Sequence, residues 1–261
     1  MPVLVMSWLA GGRMKLRWGN VLLCVLSMLA SEAQATPVGS GGIGLNATRV
    51  VFTPGESVSV GVRNTTTSPY LVQSYVIDEQ KHIVKGLSVS PALTRVEAGA
   101  TSMLRIAGKP IERSVPSDRE TMFYFMSKGI AQSNPLSPDR DGALSAGVKI
   151  GLGNQIKFFY RPVGLDAEGA ELAGKNVVFR RTVGGVKVEN ASPYYVSLKG
   201  VRFGPKKGGK KISLLNKPML GTLPPYSTTM YSVAETGQFP DVTWGVLDDI
   251  GALHIYQGGV Q

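Results

Sequence analysis

The chain has 261 residues, of which 43% are hydrophobic and 18% charged, with 28 Lys and Arg against 18 Asp and Glu for a formal net charge of +10. That is globular composition, enough for one large or two small domains. With 32 Gly, 16 Pro, one Cys and two His, it argues against long helices, disulfide scaffolds and His/Cys metal clusters.

The first 35 residues read as a secretory signal peptide. Arg13, Lys15 and Arg17 form a basic start, "VLLCVLSMLA" (21–30) an apolar run, and "AQA" (33–35) the small residues a signal peptidase needs. The run is shorter than the ~20 residues of a membrane span. Met14 offers a second start of signal type. Cys24, the single cysteine, falls inside the run, behind a bulky Leu23 that disfavours lipidation. The exported chain then has no cysteine, and 25 basic residues against 17 acidic give it a net +8. No later segment is apolar enough to span a bilayer, so no stable membrane insertion is expected.

From there the hydrophobic pattern has period two. Residues 42–52 ("GIGLNATRVVF") read as a first strand, ending at the turn "TPGE". Then come 57–64, 70–78, 101–108, the aromatic-rich 119–127 and 146–162, "AGVKIGLGNQIKFFYRP". The polar, Pro-bearing segment 127–147 carries no pattern. After Pro162 the alternation restarts in short runs at 176–182, 185–192, 194–203, 227–233, 241–249 and 253–259. We expect an all-β protein of two β-sandwiches, residues 36–160 and 161–261, each of immunoglobulin-like size. No amphipathic helix of three turns or more is evident.

Chemical motifs are sparse. "GSGGIG" (39–44) matches a dinucleotide-binding pattern, but a predicted cleavage site precedes it and no helix follows. His82 and His254 lie in a polar turn and a terminal strand, with no nucleophile elbow nearby. No catalytic residue, metal site or cofactor is expected. The basic tract "GPKKGGKK" (204–211) lacks the interleaved aromatics of a nucleic-acid platform and reads as a solvated hairpin tip. Three sequons begin at Asn46, Asn64 and Asn190. Two cations stand out: Arg49 inside an apolar first strand, and Lys157 hard against the Arg161–Pro162 elbow. Both lack an acidic neighbour in sequence. Either they reach water along the strand edge, or they form a cationic floor in the interdomain cleft, open to an anion.

Taken in order, "TRVVF" (48–52), "SPYLVQSYV" (68–76), "LTRVEAGATSMLRI" (93–106), "RETMFYF" (119–125), "IKFFYRP" (156–162), "VENASPYYVSL" (188–198) and "LDDIGAL" (247–253) resemble the periplasmic pilus-assembly chaperones of the chaperone–usher pathway. The resemblance implies two immunoglobulin-like domains in an L or boomerang, no enzyme activity and a periplasmic location. It implies fimbrial subunits and an outer-membrane usher as partners and no nucleic acid; the free protein would then carry an exposed strand edge, either covered by the long loop or paired in a self-capping dimer. Arg49 and Lys157 match the cations that anchor a subunit's C-terminal carboxylate. Val148, Ile150 and Leu152 match the alternating apolar anchors of the donor strand, which completes an unfinished subunit by β-strand addition. Glu120, Arg161 and Asp249 match an interdomain ion network, and Pro91 a cis-proline turn. Gly147, Gly151 and Gly153 weaken the donor strand relative to the family pattern. The absence of a cysteine pair near the long 127–147 segment points to the short-loop, rod-forming class. The competing reading is a secreted two-domain immunoglobulin-like adhesion or ligand-binding protein, which needs no paired cations at one elbow.

Overall fold

The computed structural model describes residues 41–111, 115–131, 152–204, 221–232 and 240–261. The signal-peptide reading therefore lies outside the described residues. In the first half, nine strands form two sheets. β1 (Ile43–Leu45), β3 (Ser57–Asn64), β7 (Thr101–Gly108) and β5 (Leu87–Ser90) pair in that order. Opposite them run β2 (Arg49–Phe52), β9 (Leu152–Tyr160), β8 (Thr121–Ala131), β4 (Tyr70–Ile77) and β6 (Leu93–Val96). Alternation decides what faces inward. In β7, Leu104 and Ile106 are buried while Met103 and Arg105 stay outside. Val62, Val72, Phe52, Phe125 and Phe158 fill the layer between the sheets.

The second half is a smaller sandwich with its own core. β10 (Val178–Thr182), β11 (Gly185–Asn190) and β14 (Ser227–Ser232) make one sheet. β13 (Thr222–Leu223), β12 (Val196–Phe203), β15 (Asp241–Leu247) and β16 (Leu253–Gly259) make the other. Phe179, Val186, Leu223 and Trp244 are buried between them.

The expected first strand, 42–52, is two strands in opposite sheets. Asn46 causes the change. Its backbone N–H donates to the Gly61 carbonyl at 3.0 Å, and its Oδ1 accepts from the Gly61 N–H at 2.7 Å. The side chain thus closes the ladder with β3 and releases the backbone to cross over. Arg49 is the first residue on the far side.

Sequence patterning also missed β5, β6 and β13, and one helix, α1 (Ala167–Lys175), of nine residues. At 3.6 residues per turn it falls short of three turns. Asp166 caps it, accepting from the Gly169 N–H at 2.7 Å. Gly169 dilutes the helical pattern for a packing reason. A Cβ there would stand 2.2 Å from the Tyr194 hydroxyl oxygen.

Asn64 and Asn190, fully buried, do the same work in the two sandwiches. Asn64 Nδ2 donates to the carbonyls of Ser68 (2.8 Å), Val96 (3.1 Å) and Glu97 (3.1 Å), while its Oδ1 accepts from Thr66 N at 2.9 Å. Asn190 Nδ2 reaches the carbonyls of Tyr194 (2.7 Å), Leu223 (3.3 Å) and Pro224 (2.8 Å), and its Oδ1 accepts from Ser192 N at 3.1 Å. Each ties a strand end to the loop beside it. Both sequon asparagines are therefore structural, and only Asn46 of the three is exposed. Asn190→Ala should strip these buried carbonyls of their donor and lower unfolding free energy by about 2–3 kcal/mol. Urea denaturation checks this: the midpoint should fall with an unchanged slope.

Candidate anion site at the domain junction

β2 and β9 pair in parallel, and their register sets Arg49 opposite Lys157. The two cations noticed in sequence are therefore neighbours, although 108 positions separate them. Arg49 does not reach water along the strand edge: it is 9% exposed. Its Nη1 donates to the Leu247 carbonyl of β15 at 3.0 Å. Its Nε is buried without a hydrogen-bond partner among the described residues. Lys157 is half-buried, and its Nζ donates to the Thr222 hydroxyl on β13.

Neither cation has a carboxylate within ion-pair distance among the described residues. Burial pulls the Arg49 guanidinium below its ordinary value, opposed by the more distant charges of Asp249 and Asp248. Burial also pulls the Lys157 ammonium down, and the neighbouring Arg49 charge adds to it. Two partly desolvated positive groups side by side favour an anion between them. A carboxylate suits the pair, because it can accept several charge-assisted hydrogen bonds at once. A cavity of ≈ 250 Å³ adjoins Arg49, but Lys157 does not line it and Glu120, Glu171, Asp248 and Asp249 do, so it is not the space between the two cations.

The nearest acids are already engaged. Arg161 Nε donates to Glu120 Oε1 at 2.7 Å, while Nη1 and Nη2 form a fork on Asp249 at 2.8 and 2.9 Å. Its guanidinium also lies 5.3 Å from the Tyr194 ring centre. The second Glu120 oxygen accepts from Tyr195 N at 2.8 Å, and Glu120 N donates to the Pro193 carbonyl at 2.8 Å. Burial pushes the Glu120 carboxyl up, opposed chiefly by the Arg161 charge. The Arg161 guanidinium is held well above its ordinary value: burial acts against it, and Asp249 and Glu120 outweigh burial. Glu120, Arg161 and Asp249 thus form one cluster bridging the two sandwiches.

Asp249 belongs to the β15–β16 turn, which is anchored from several sides. Asp248 Oδ2 meets His254 Nε2 at 2.8 Å, and Asp248 Oδ1 accepts from the N–H groups of Ala252 and Ile250 at 2.7 and 3.0 Å. Burial opposes ionisation of Asp248, but these hydrogen bonds hold its carboxyl below the usual range. Thr222, Leu247 and the His254–Asp248 pair carried no signal in the sequence.

Of the donor-strand residues, Val148 and Ile150 lie outside the described residues, and Leu152 begins β9. β9 pairs with β8 along its whole described length, but with β2 only from Lys157 onward. Among the described residues, no strand pairs with its other edge from Leu152 to Ile156. The Ser90–Pro91 peptide is cis. Of "GSGGIG", Gly39 and Ser40 lie outside the described residues, and Ile43 and Gly44 belong to β1. Of the basic tract only Gly204 is described. No cluster of metal-ligating side chains occurs among the described residues, and none of their helices is long and apolar enough to cross a membrane.

Known proteins share both sandwiches. Residues 42–166 match the family model of the pili and flagellar-assembly chaperone, PapD N-terminal domain, and residues 173–258 match that of the pili assembly chaperone PapD, C-terminal domain. The probable fimbrial chaperone protein ElfD of Escherichia coli K12 is 29% identical over 238 residues, covering 90% of this chain and 93% of that protein. The chaperone protein PapD of Escherichia coli is 32% identical over 163 residues, covering 61% of this chain and 65% of that one. Among solved structures, a chain of the Salmonella enterica SafA pilin–SafB chaperone complex superposes with a TM-score of 0.66 at 28% identity, over 84% of this chain and 96% of that one. The Escherichia coli chaperone DraB gives a TM-score of 0.66 at 27% identity, over 84% and 97%. With two immunoglobulin-like domains and matches along most of its length, the chain belongs to the PapD family of pilus-assembly chaperones.

Proposed function

We propose that this chain is a periplasmic chaperone that binds, folds and caps fimbrial subunits by donor-strand complementation and delivers them to an outer-membrane usher. Residues 1–35 act as the export signal, 36–160 as the subunit-binding domain, and 161–261 as its companion domain. Arg49 and Lys157 anchor the subunit's terminal carboxylate. Val148, Ile150 and Leu152 fill the groove of the unfinished subunit. The observation that carries this reading is the buried Nε of Arg49, which among the described residues has no hydrogen-bond partner and lies beside a second cation with no counterion. A buried donor of this kind is expensive unless a ligand completes it. The open edge of β9, starting beside that pair, supplies the backbone groups for a guest strand.

Three aliphatic anchors at ~1.5–3 kcal/mol each amount to ~5–9 kcal/mol gross when fully buried in a subunit. The free chaperone would expose the same edge, a template for pairing with a second copy.

Expression with its cognate fimbrial operon, recovery from periplasm and mass identification of what co-purifies tests the proposal directly. A fimbrial subunit in stoichiometric complex is expected; the protein emerging alone from cells that make the subunit would refute it. Ile150→Asp places a charge in the subunit's apolar groove and should cut complex yield at least tenfold. An undiminished yield would remove this strand from the mechanism.

A further inference from the structure

The first-domain cations face a row of residues on the second domain. β13, β12 and β15 lie side by side, and their registers set Thr222 opposite Ser197 and Ser197 opposite Leu247. Residues directly opposed in a sheet share a face. The neighbours Val196, Leu198, Leu223 and Val246 belong to the second core. By alternation, Thr222, Ser197 and Leu247 point the other way. Both ends of the row hold an anchor cation. Thr222 Oγ1 accepts from Lys157, and the Leu247 carbonyl accepts from Arg49. Between them Ser197, 3% exposed, carries a buried hydroxyl with no hydrogen-bond partner among the described residues.

From this row we infer that the Thr222 and Ser197 hydroxyls are the second wall of the carboxylate site, donating hydrogen bonds to the anion that Arg49 and Lys157 hold. The inference rests on the anchoring role proposed above for those cations. Thr222 Oγ1 accepts from an ammonium, so its own proton is free to be donated. Ser197 has a proton to give and nothing to receive it. A carboxylate has about four acceptor positions. Arg49 Nε, Lys157 Nζ and two hydroxyls would match that number with groups drawn from both domains. Recognition of the anion would then need the domains docked, since neither one carries the whole set.

The test compares one probe in two forms: a ten-residue peptide of alternating valine and serine ending in phenylalanine, as free acid and as C-terminal amide. Affinities are measured by calorimetry on the full chain, alongside thermal melts. Thr222→Val should weaken the acid about tenfold and leave the amide unchanged, and Thr222→Ser should restore acid binding. Ser197→Ala should weaken the acid about fivefold while melting no lower than the parent, because it deletes a buried hydroxyl that has no partner among the described residues. A hydroxyl that merely supported the sheet would change stability without changing acid-over-amide preference. Arg49→Ala separates the two levels of the proposal. If it abolishes the preference and neither hydroxyl variant alters it, the second wall is wrong and the cation anchor stands. If Arg49→Ala leaves the preference intact, the anchor falls and the second wall with it.

Discussion

Lys157→Ala should reduce the fimbrial subunit recovered with the chaperone from periplasm by at least tenfold, while the chaperone itself stays folded. Hydrogen bonds to a charged group contribute about 1.5–3 kcal/mol, and loss of the ammonium removes one of the two cations proposed to hold the carboxylate. Folding should not suffer in proportion. Burial and the neighbouring Arg49 charge both depress the Lys157 ammonium, so its charged form is less favourable folded than unfolded near neutral pH. The sign follows: a lysine with a lowered folded value opposes folding when protonated, and that opposition fades as pH rises through the folded value. The variant should therefore melt within a few degrees of the parent. Normal subunit recovery from Lys157→Ala cells would disprove the anchor.

Arg161→Met should produce the largest loss of stability, about 3–5 kcal/mol. The mutation strands Glu120, 3% exposed, without the one ionic partner it has among the described residues. It also releases Asp249, whose carboxylate accepts the hydrogen bonds from Nη1 and Nη2. Because these bonds join the two sandwiches, calorimetry should show one unfolding transition for the parent and two for the variant. Asp249→Asn keeps the Glu120 bond and removes a partner that is one-third exposed, so its cost should be about 1 kcal/mol. An unshifted melting curve for Arg161→Met would show that the cluster does not hold the domains together.

The alternation of β3, β4, β7 and β8 was legible because each buries one face, and a period of two survives any choice of partner. The break at Asn46 was not, since it depends on a side chain meeting Gly61, 15 residues further on. β5 and β6 have four residues each, too few for a pattern to emerge around Pro91. Arg49 and Lys157 were conspicuous as cations in apolar strands. That they are neighbours follows from a parallel pairing between distant segments, which composition does not encode. The partners of Arg161 lie 41 and 88 residues away. Thr222 and Ser197 look like ordinary strand residues until the sheet order lines them up. Local pattern left Arg49 and Lys157 between a strand edge and an interdomain cleft, and the family resemblance favoured the cleft and named Arg161 with its partners; nothing in the sequence pointed to Thr222 or Ser197.

The crossing at Asn46 has a consequence for polarity. β2 begins at Arg49 and runs in the same direction as β9, whose other edge has no paired strand from Leu152 to Ile156 among the described residues. A guest strand on that open edge, held by its terminal carboxylate at Arg49, must also run in the direction of β9. Guest and β2 would then lie end to end along one edge, the last residue of one chain facing the first strand residue of the other. Reversing the guest would put its amino terminus against two cations. If the proposed anchoring holds, the position where the chain changes sheets would fix both the place where a guest must stop and the direction from which it must come.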